Sequence, residues 1–143
     1  MDQLPRVLVL SEMFPNEQMP SLGVFVHELV CQMRTLCQQE VIAPLPYIPF
    51  PLSLVPRYRV WVSPQPKHPC VKVHNPRYLM FPRRLRYSKW GQWYWGGMRR
   101  TARSLTFDLI HAHQPFPDGF AGVQLKRETG KPLVVTIHGE ERQ

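Results

Sequence analysis

Phe107-Asp108-Leu109-Ile110-His111-Ala112-His113-Gln114-Pro115-Phe116-Pro117-Asp118-Gly119 opens the stretch from which the architecture can be read. It continues with helical spacing to Glu128 and closes on Pro132-Leu133-Val134-Val135-Thr136-Ile137-His138-Gly139. Two short apolar runs, Leu109–Ala112 and Leu133–Ile137, are each followed by histidine, with a Pro/Gly loop and a helix between them. A strand–loop–helix–strand unit of this size closes as a right-handed parallel crossover. Ligands of open parallel sheets bind beyond the carboxyl ends of the strands, where His111, His113 and His138 fall. Buried parallel strands have little structural need for imidazole there, so a polar ligand is expected.

The opening of the chain repeats this logic. Arg6-Val7-Leu8-Val9-Leu10 suits a central strand, and Ser11-Glu12-Met13-Phe14-Pro15-Asn16 follows as a loop. From Val24, apolar residues at Val26, Leu29, Val30, Met33, Leu36 and Cys37 have the spacing of one helix face. The amino end of that helix, at Gly23, points into the loop, a ready place for an anionic group. Glu40-Val41-Ile42-Ala43-Pro44 supplies a second strand. The expected fold is α/β, a Rossmann-like doubly wound parallel sheet. Its strands are expected near Val7–Leu10, Val41–Ala43, Val71–Val73, Leu109–His111 and Leu133–Ile137, with helices near Val24–Leu36, Tyr87–Leu105 and Gly119–Glu128.

Between positions 44 and 104 the character changes. Prolines recur from Pro44 to Pro69, which excludes a long helix and favours an extended loop leaving the ligand edge. No aspartate or glutamate occurs between Val41 and Phe107, while arginines and lysines from Arg57 to Arg103 alternate with tyrosines and tryptophans. The net charge is +8 and the pI about 9.9. Such a face suits anionic headgroups, a polyanionic glycan or nucleic acid, or is a solvated face whose aromatics pack inward. Nucleic acid is not expected, because the prolines break a recognition helix. Arg99, Arg100 and Arg103 complement a helix carboxyl end.

Three cysteines (Cys31, Cys37, Cys70) are an odd count without metal-ligand spacing, and Cys31 and Cys37 on the first helix are badly placed for a bridge, so reduced, buried thiols are expected. Cys70 with His68 and His74 lacks a second cysteine nearby in sequence, and no metal site is assigned. No apolar run reaches the roughly 18 residues of a membrane span, and Met1–Pro5 is no signal peptide; a cytoplasmic location, with peripheral contact at the inner membrane face, is the expectation. At 143 residues and 16.8 kDa the length fits one domain.

Met13-Phe14-Pro15-Asn16, Ser21-Leu22-Gly23-Val24-Phe25-Val26, Glu40-Val41-Ile42-Ala43-Pro44, Asn75-Pro76-Arg77-Tyr78-Leu79, Asp108-Leu109-Ile110-His111-Ala112-His113 and Thr136-Ile137-His138-Gly139 stand in a telling order. Together they resemble the amino-terminal domain of a retaining, family-4 GT-B glycosyltransferase. The subgroup they are most similar to builds teichuronic acid, capsule and exopolysaccharide chains.

The resemblance spans nearly all of residues 1–143 and implies a nucleotide-sugar donor, a glycan or lipid-linked acceptor and no cofactor. It puts Gly23 near the donor diphosphate, although many members have two adjacent glycines where this chain has Leu22-Gly23. It puts His113 on the transferred sugar as the catalytic position, His138 and Gly139 at the acceptor, and His111 in a structural role. The loop and helix within 44–104 become the acceptor side of the cleft. Transfer proceeds on one sugar face through an oxocarbenium-like state, with the donor phosphate deprotonating the acceptor and no carboxylate pair needed at the ligand edge. The donor domain of such enzymes is a second unit that this chain lacks, so a truncated chain, inactive alone, is expected. The competing reading is a non-catalytic basic module for anionic membrane or nucleic acid.

Overall fold

The computed structural model describes residues 3–16, 19–56, 68–81 and 86–139. Seven strands are described: β1 (Arg6–Leu10), β2 (Gln38–Ile42), β3 (Leu45–Tyr47), β4 (Lys72–His74), β5 (Arg77–Leu79), β6 (Leu109–Ala112) and β7 (Leu133–Val135). The α-helices are α1 (Val24–Met33), α2 (Trp90–Ser104) and α3 (Phe120–Thr129). A five-stranded sheet has the order β4-β2-β1-β6-β7, and every pairing in it is parallel. Val7 lies opposite Leu109, as the expected parallel crossover requires.

Alternation along β1 builds two cores. Leu8 and Leu10 face one way, into a cluster with Ile42, Tyr94, Met98, Ile110 and Leu125 beneath α2 and α3. Val7 and Val9 face the other way, into a cluster with Phe14, Val26, Val30 and Val41 beneath α1. Both faces of β1 are therefore covered, which is why its run is apolar throughout rather than alternating. Burying each large apolar side chain contributes roughly 1.5–3 kcal/mol relative to leaving it exposed. α1 is narrower than its sequence spacing suggested. It ends at Met33, and Leu29 and Leu36 stay 37% and 66% exposed, while Val26 and Val30, with Met33 and Cys37 beside them, fill the contact with the sheet.

The proline-rich stretch is more ordered than an extended loop. β3, with Pro46 at its centre, pairs in parallel with β5, and a 3-10 turn follows at Leu52–Leu54. Asn75 Nδ2 donates to the Ala43 carbonyl over 2.9 Å, and Leu45 N donates to Pro76 O over 2.9 Å. These bonds carry the pairing of β2 and β4 across into the smaller sheet. β5 was not anticipated from sequence, since three residues between prolines and a breaker-rich segment carry too little pattern. α2 packs on β5 through Gly97: an added Cβ there would stand 2.5 Å from the Arg77 carbonyl oxygen. A 3-10 turn, Tyr87–Lys89, leads into α2. Arg57, Tyr58, Arg59, Trp61, Lys67, Arg83 and Arg84 of the basic span lie outside the described residues.

Candidate functional site

Strand order reverses between β1 and β6: the chain moves from β1 to β2 and β4 on one side, then returns to β6 and β7 on the other. At such a switch point the loops leaving two neighbouring strands part and open a crevice at the carboxyl edge. Here those loops begin at Ser11 and at His113.

His113 is buried, with its backbone amide bonded to the Leu10 carbonyl at 3.0 Å. Its Nδ1 lies 3.2 Å from Nε2 of His138, and the two rings are stacked, 9° from coplanar. The His111 ring is 4.2 Å from that of His113, and its Nε2 lies 2.7 Å from the Thr136 hydroxyl. Phe25, in the first turn of α1, packs 4.4 Å from His138. The carboxyl ends of β6 and β7 and the amino end of α1 thus converge on three imidazoles. Burial, then the neighbouring His111 and His138, pull His113 down to about 4, so it is neutral at physiological pH. His111 is lowered too, by burial and by His138. The Nε2 of His113 is buried and has no hydrogen-bond partner. Buried polar atoms are nearly always paired, so an unpaired imidazole nitrogen at a switch point makes His113 a candidate site residue.

Gly23 caps α1 in the left-handed region, at φ 62°. An added Cβ would lie 2.2 Å from the Met13 carbonyl oxygen, so the loop after β1 needs glycine at this position for its own packing. Gly139 is exposed, with open space around it.

The absence of a carboxylate pair from the ligand edge is corrected by the structure. Glu12, just after β1, and Asp118, in the loop after β6, are joined where the Glu12 backbone amide donates to Asp118 Oδ1 at 2.9 Å. The Tyr94 hydroxyl donates to the same oxygen at 2.5 Å, and the Tyr78 hydroxyl donates to Glu12 Oε1 at 3.0 Å. Burial lifts Glu12 to about 7, opposed by its bond from Tyr78. Burial also lifts Asp118 to about 7, opposed chiefly by the bond from Tyr94. Tyr94 is pushed well above its ordinary value, by burial first and then by Asp118 and Glu12. Asp118 Oδ2 has no partner. The four residues are 106 positions apart at their widest, and only the β1–β6 pairing brings the two loops together; no motif in the sequence signals the pair.

The aromatics of the basic span have mostly structural work. Tyr78 and Tyr94 are buried in the core, Trp90 and Trp95 pack against it, and Trp93 lies 5.2 Å from Phe81. Tyr87 and Phe116 remain half-exposed beside Trp90, with ring centroids 5.1–5.9 Å apart in this trio. Arg99 and Arg100 are exposed, and Arg103 pairs with Glu128 at 2.7 Å. A cavity of about 290 Å³ lies at the opposite, amino edge of the strands, lined by Arg6, Glu40 and Lys72 among others. Its charges are matched internally: Arg6 with Asp108 at 2.9 Å, and Glu40 with Lys72 and His74. The carboxyl edge instead carries the unpaired imidazole and the perturbed carboxyls, the kind of groups that gather at functional sites.

The expectation of reduced thiols changes for two of the three cysteines. Cys31 of α1 and Cys70 ahead of β4 are bonded to each other, with Cα atoms 5.4 Å apart, whereas Cys37 is free and buried. Their separation of 39 residues hid the pairing from any local reading. His74, considered beside His68 and Cys70, instead holds Glu40 at 2.6 Å.

A parallel doubly wound sheet with a polar site at its switch point defines the Rossmann-like α/β class. Residues 19–143 match the model of Glycosyltransferase Family 4, and the chain belongs to that family. The fold is also similar to the C-terminal domain of a hydrogenase from Pyrococcus furiosus, with TM-score 0.56 and 12% identity over 94% of this chain and 93% of that one. At that identity the likeness concerns the fold alone. No curated protein sequence matches the chain. Among the described residues no helix is long and apolar enough to cross a membrane.

Proposed function

We propose that this domain forms the acceptor-side half of a retaining GT-B active site. That site moves a sugar from a nucleotide-sugar donor to a glycan or lipid-linked acceptor in cell-surface polysaccharide synthesis. Family membership implies a sugar donor and an acceptor; the donor type, the acceptor class and the pathway are this reading's own. The observation that carries it is the buried, unpaired Nε2 of His113 beside His138 at the switch point. A neutral imidazole can hydrogen-bond a sugar hydroxyl without placing a positive charge next to an oxocarbenium-like transition state. In this role His113 contacts the transferred sugar, and His138 and Gly139 face the acceptor. Gly23 lies where the amino end of α1 meets the donor diphosphate, its backbone offering amide and dipole rather than a side chain. The half-exposed Tyr87 and Phe116 offer apolar faces on the acceptor side, and the exposed arginines of α2 suit an anionic acceptor or the membrane that carries it.

The test is nuclear magnetic resonance of protein labelled at its histidine and arginine side chains, titrated with sugar acceptors and nucleotide sugars. Saturable shifts at His113 and His138, lost in His113→Asn, are the expected result. Shifts confined to the arginines of α2 would sink the assignment.

A further inference from the structure

We propose that Cys31, Cys70 and His27, completed by His68, form a zinc-type metal site when the cysteine pair is reduced, so that the same two sulfurs tie α1 to β4 in either redox state. His27 and Cys31 stand four residues apart on α1, the spacing that puts two side chains on one helix face. Cys70 approaches from the segment ahead of β4. Nε2 of His27 is 3.6 Å from the sulfur of Cys31 and 3.6 Å from that of Cys70. The three ligand atoms all lie within 4.8 Å of one another.

Zinc bonds of about 2.3 Å to sulfur and about 2.05 Å to nitrogen at a tetrahedral angle put S and N about 3.6 Å apart. The nitrogen therefore already stands at ligand spacing from both sulfurs. Occupation needs only that the sulfurs part to about 3.8 Å, the corresponding tetrahedral S···S separation, which small side-chain rotations supply. The second observation is His68. Its ring lies 4.9 Å from that of His27, and its Nε2 is buried with no hydrogen-bond partner. Phe14 packs on the other side, its ring 4.9 Å from that of His68 and 5.7 Å from that of His27. His68 stands outside that group of three, and its ring must turn toward the sulfurs to bind; two thiolates and two imidazoles then make a closed structural set, with no position left for a reacting water.

The redox balance is simple. A phosphine reduces the disulfide by two electrons, taking the oxygen of one water while the two sulfurs take its hydrogens. Binding of a divalent ion then releases both thiol protons, leaving a neutral site. The tie spans the proline-rich stretch, so a bond of either kind fixes where that stretch leaves and rejoins the sheet. The site is remote in role from the histidines of β6 and β7, and its test does not depend on sugar transfer.

The experiment uses the full 143-residue chain, reduced with a phosphine under anaerobic conditions, and cobalt(II) then zinc(II) as probes. One equivalent of cobalt should give thiolate-to-cobalt charge-transfer bands and the intense visible bands of a tetrahedral ion, both bleached by zinc. The oxidised chain should give neither. Cys31→Ser and Cys70→Ser should each weaken binding by more than about 100-fold, since losing an outer-shell partner alone costs on the order of 10–100-fold. Cys37→Ser should leave the spectrum unchanged. Should a serine variant fail to fold, X-ray absorption of the wild-type zinc form decides, with two sulfur donors and at least one imidazole expected. A reduced chain that takes up no cobalt, or a metal shell lacking two sulfurs or any imidazole, overturns the proposal.

Discussion

His113 and Asp118 sit in one loop and have opposite electrostatic fates. Burial pulls the imidazole down to about 4, so it is neutral at pH 7, and lifts the carboxyl to about 7, so it is only partly ionised there, because each group avoids its charged form where water is excluded. In an active enzyme built on this domain, His113→Ala should lower turnover by on the order of 10²-fold while the fold persists, the scale of losing one positioned polar group. Paired kinetics and thermal melting check this, and unchanged turnover would move the sugar contact to His138. Glu12 and Asp118 make a separate prediction. Their folded values, about 7, lie above the unfolded carboxyl range near 4. Between those limits the folded state holds more protons than the unfolded one. Their contribution to stability is thus complete below about pH 4 and is lost as pH rises through about 7. Melting temperatures of Asp118→Asn across that window should show a shallower fall than wild type. At the other extreme, Arg6 and its backbone amide hold Asp108 at about 2, so that pair loses its contribution only as pH falls below about 4.

At the scale of elements, two close approaches of backbone fix how helices meet the sheets. α1 enters through Gly23 against the Met13 carbonyl, and α2 crosses β5 through Gly97 against Arg77 and Tyr78. Gly97→Ala should destabilise the fold by about 1–3 kcal/mol, the usual cost of overpacking. Gly23→Ala should cost at least about 1–2 kcal/mol, since a side chain at positive φ adds strain to the clash. Denaturant titration measures both. If Gly23 also faces the diphosphate, its alanine variant should lose donor affinity beyond what its unfolded fraction explains. The buried Tyr94 joins α2 to the loop after β6. Tyr94→Phe would leave Asp118 Oδ1 short of its strongest donor and cost about 1–3 kcal/mol.

For the whole molecule, the described residues make one doubly wound unit, with the smaller β3–β5 sheet set against α2. On the proposed function the cleft lies between two such units, with the nucleotide held mainly by the other. This domain by itself should therefore bind uridine and guanosine diphosphate sugars no more tightly than about millimolar and transfer no sugar. Calorimetry decides, and a micromolar constant would mean that this unit holds the donor unaided.

Local pattern was enough for the main sheet. The apolar runs at Val7, Val41, Leu109 and Leu133, separated by helical spacing, point to a parallel α/β fold; burial on both faces explains the run in the central β1, whereas β7, at the sheet edge, leaves Val134 and Val135 exposed. The same pattern put His111, His113 and His138 toward the carboxyl edge, His111 within β6, His113 directly after it and His138 in the segment that follows β7. What tertiary structure alone decided is every contact between residues far apart in sequence. The Glu12–Asp118 pair, the Cys31–Cys70 bond with His27 and His68 around it, and the β3–β5 sheet are all of this kind. Periodicity reports which face of an element is buried, but not which distant loop arrives beside it. Those meetings are set by strand order, and strand order is fixed only when the sheet closes.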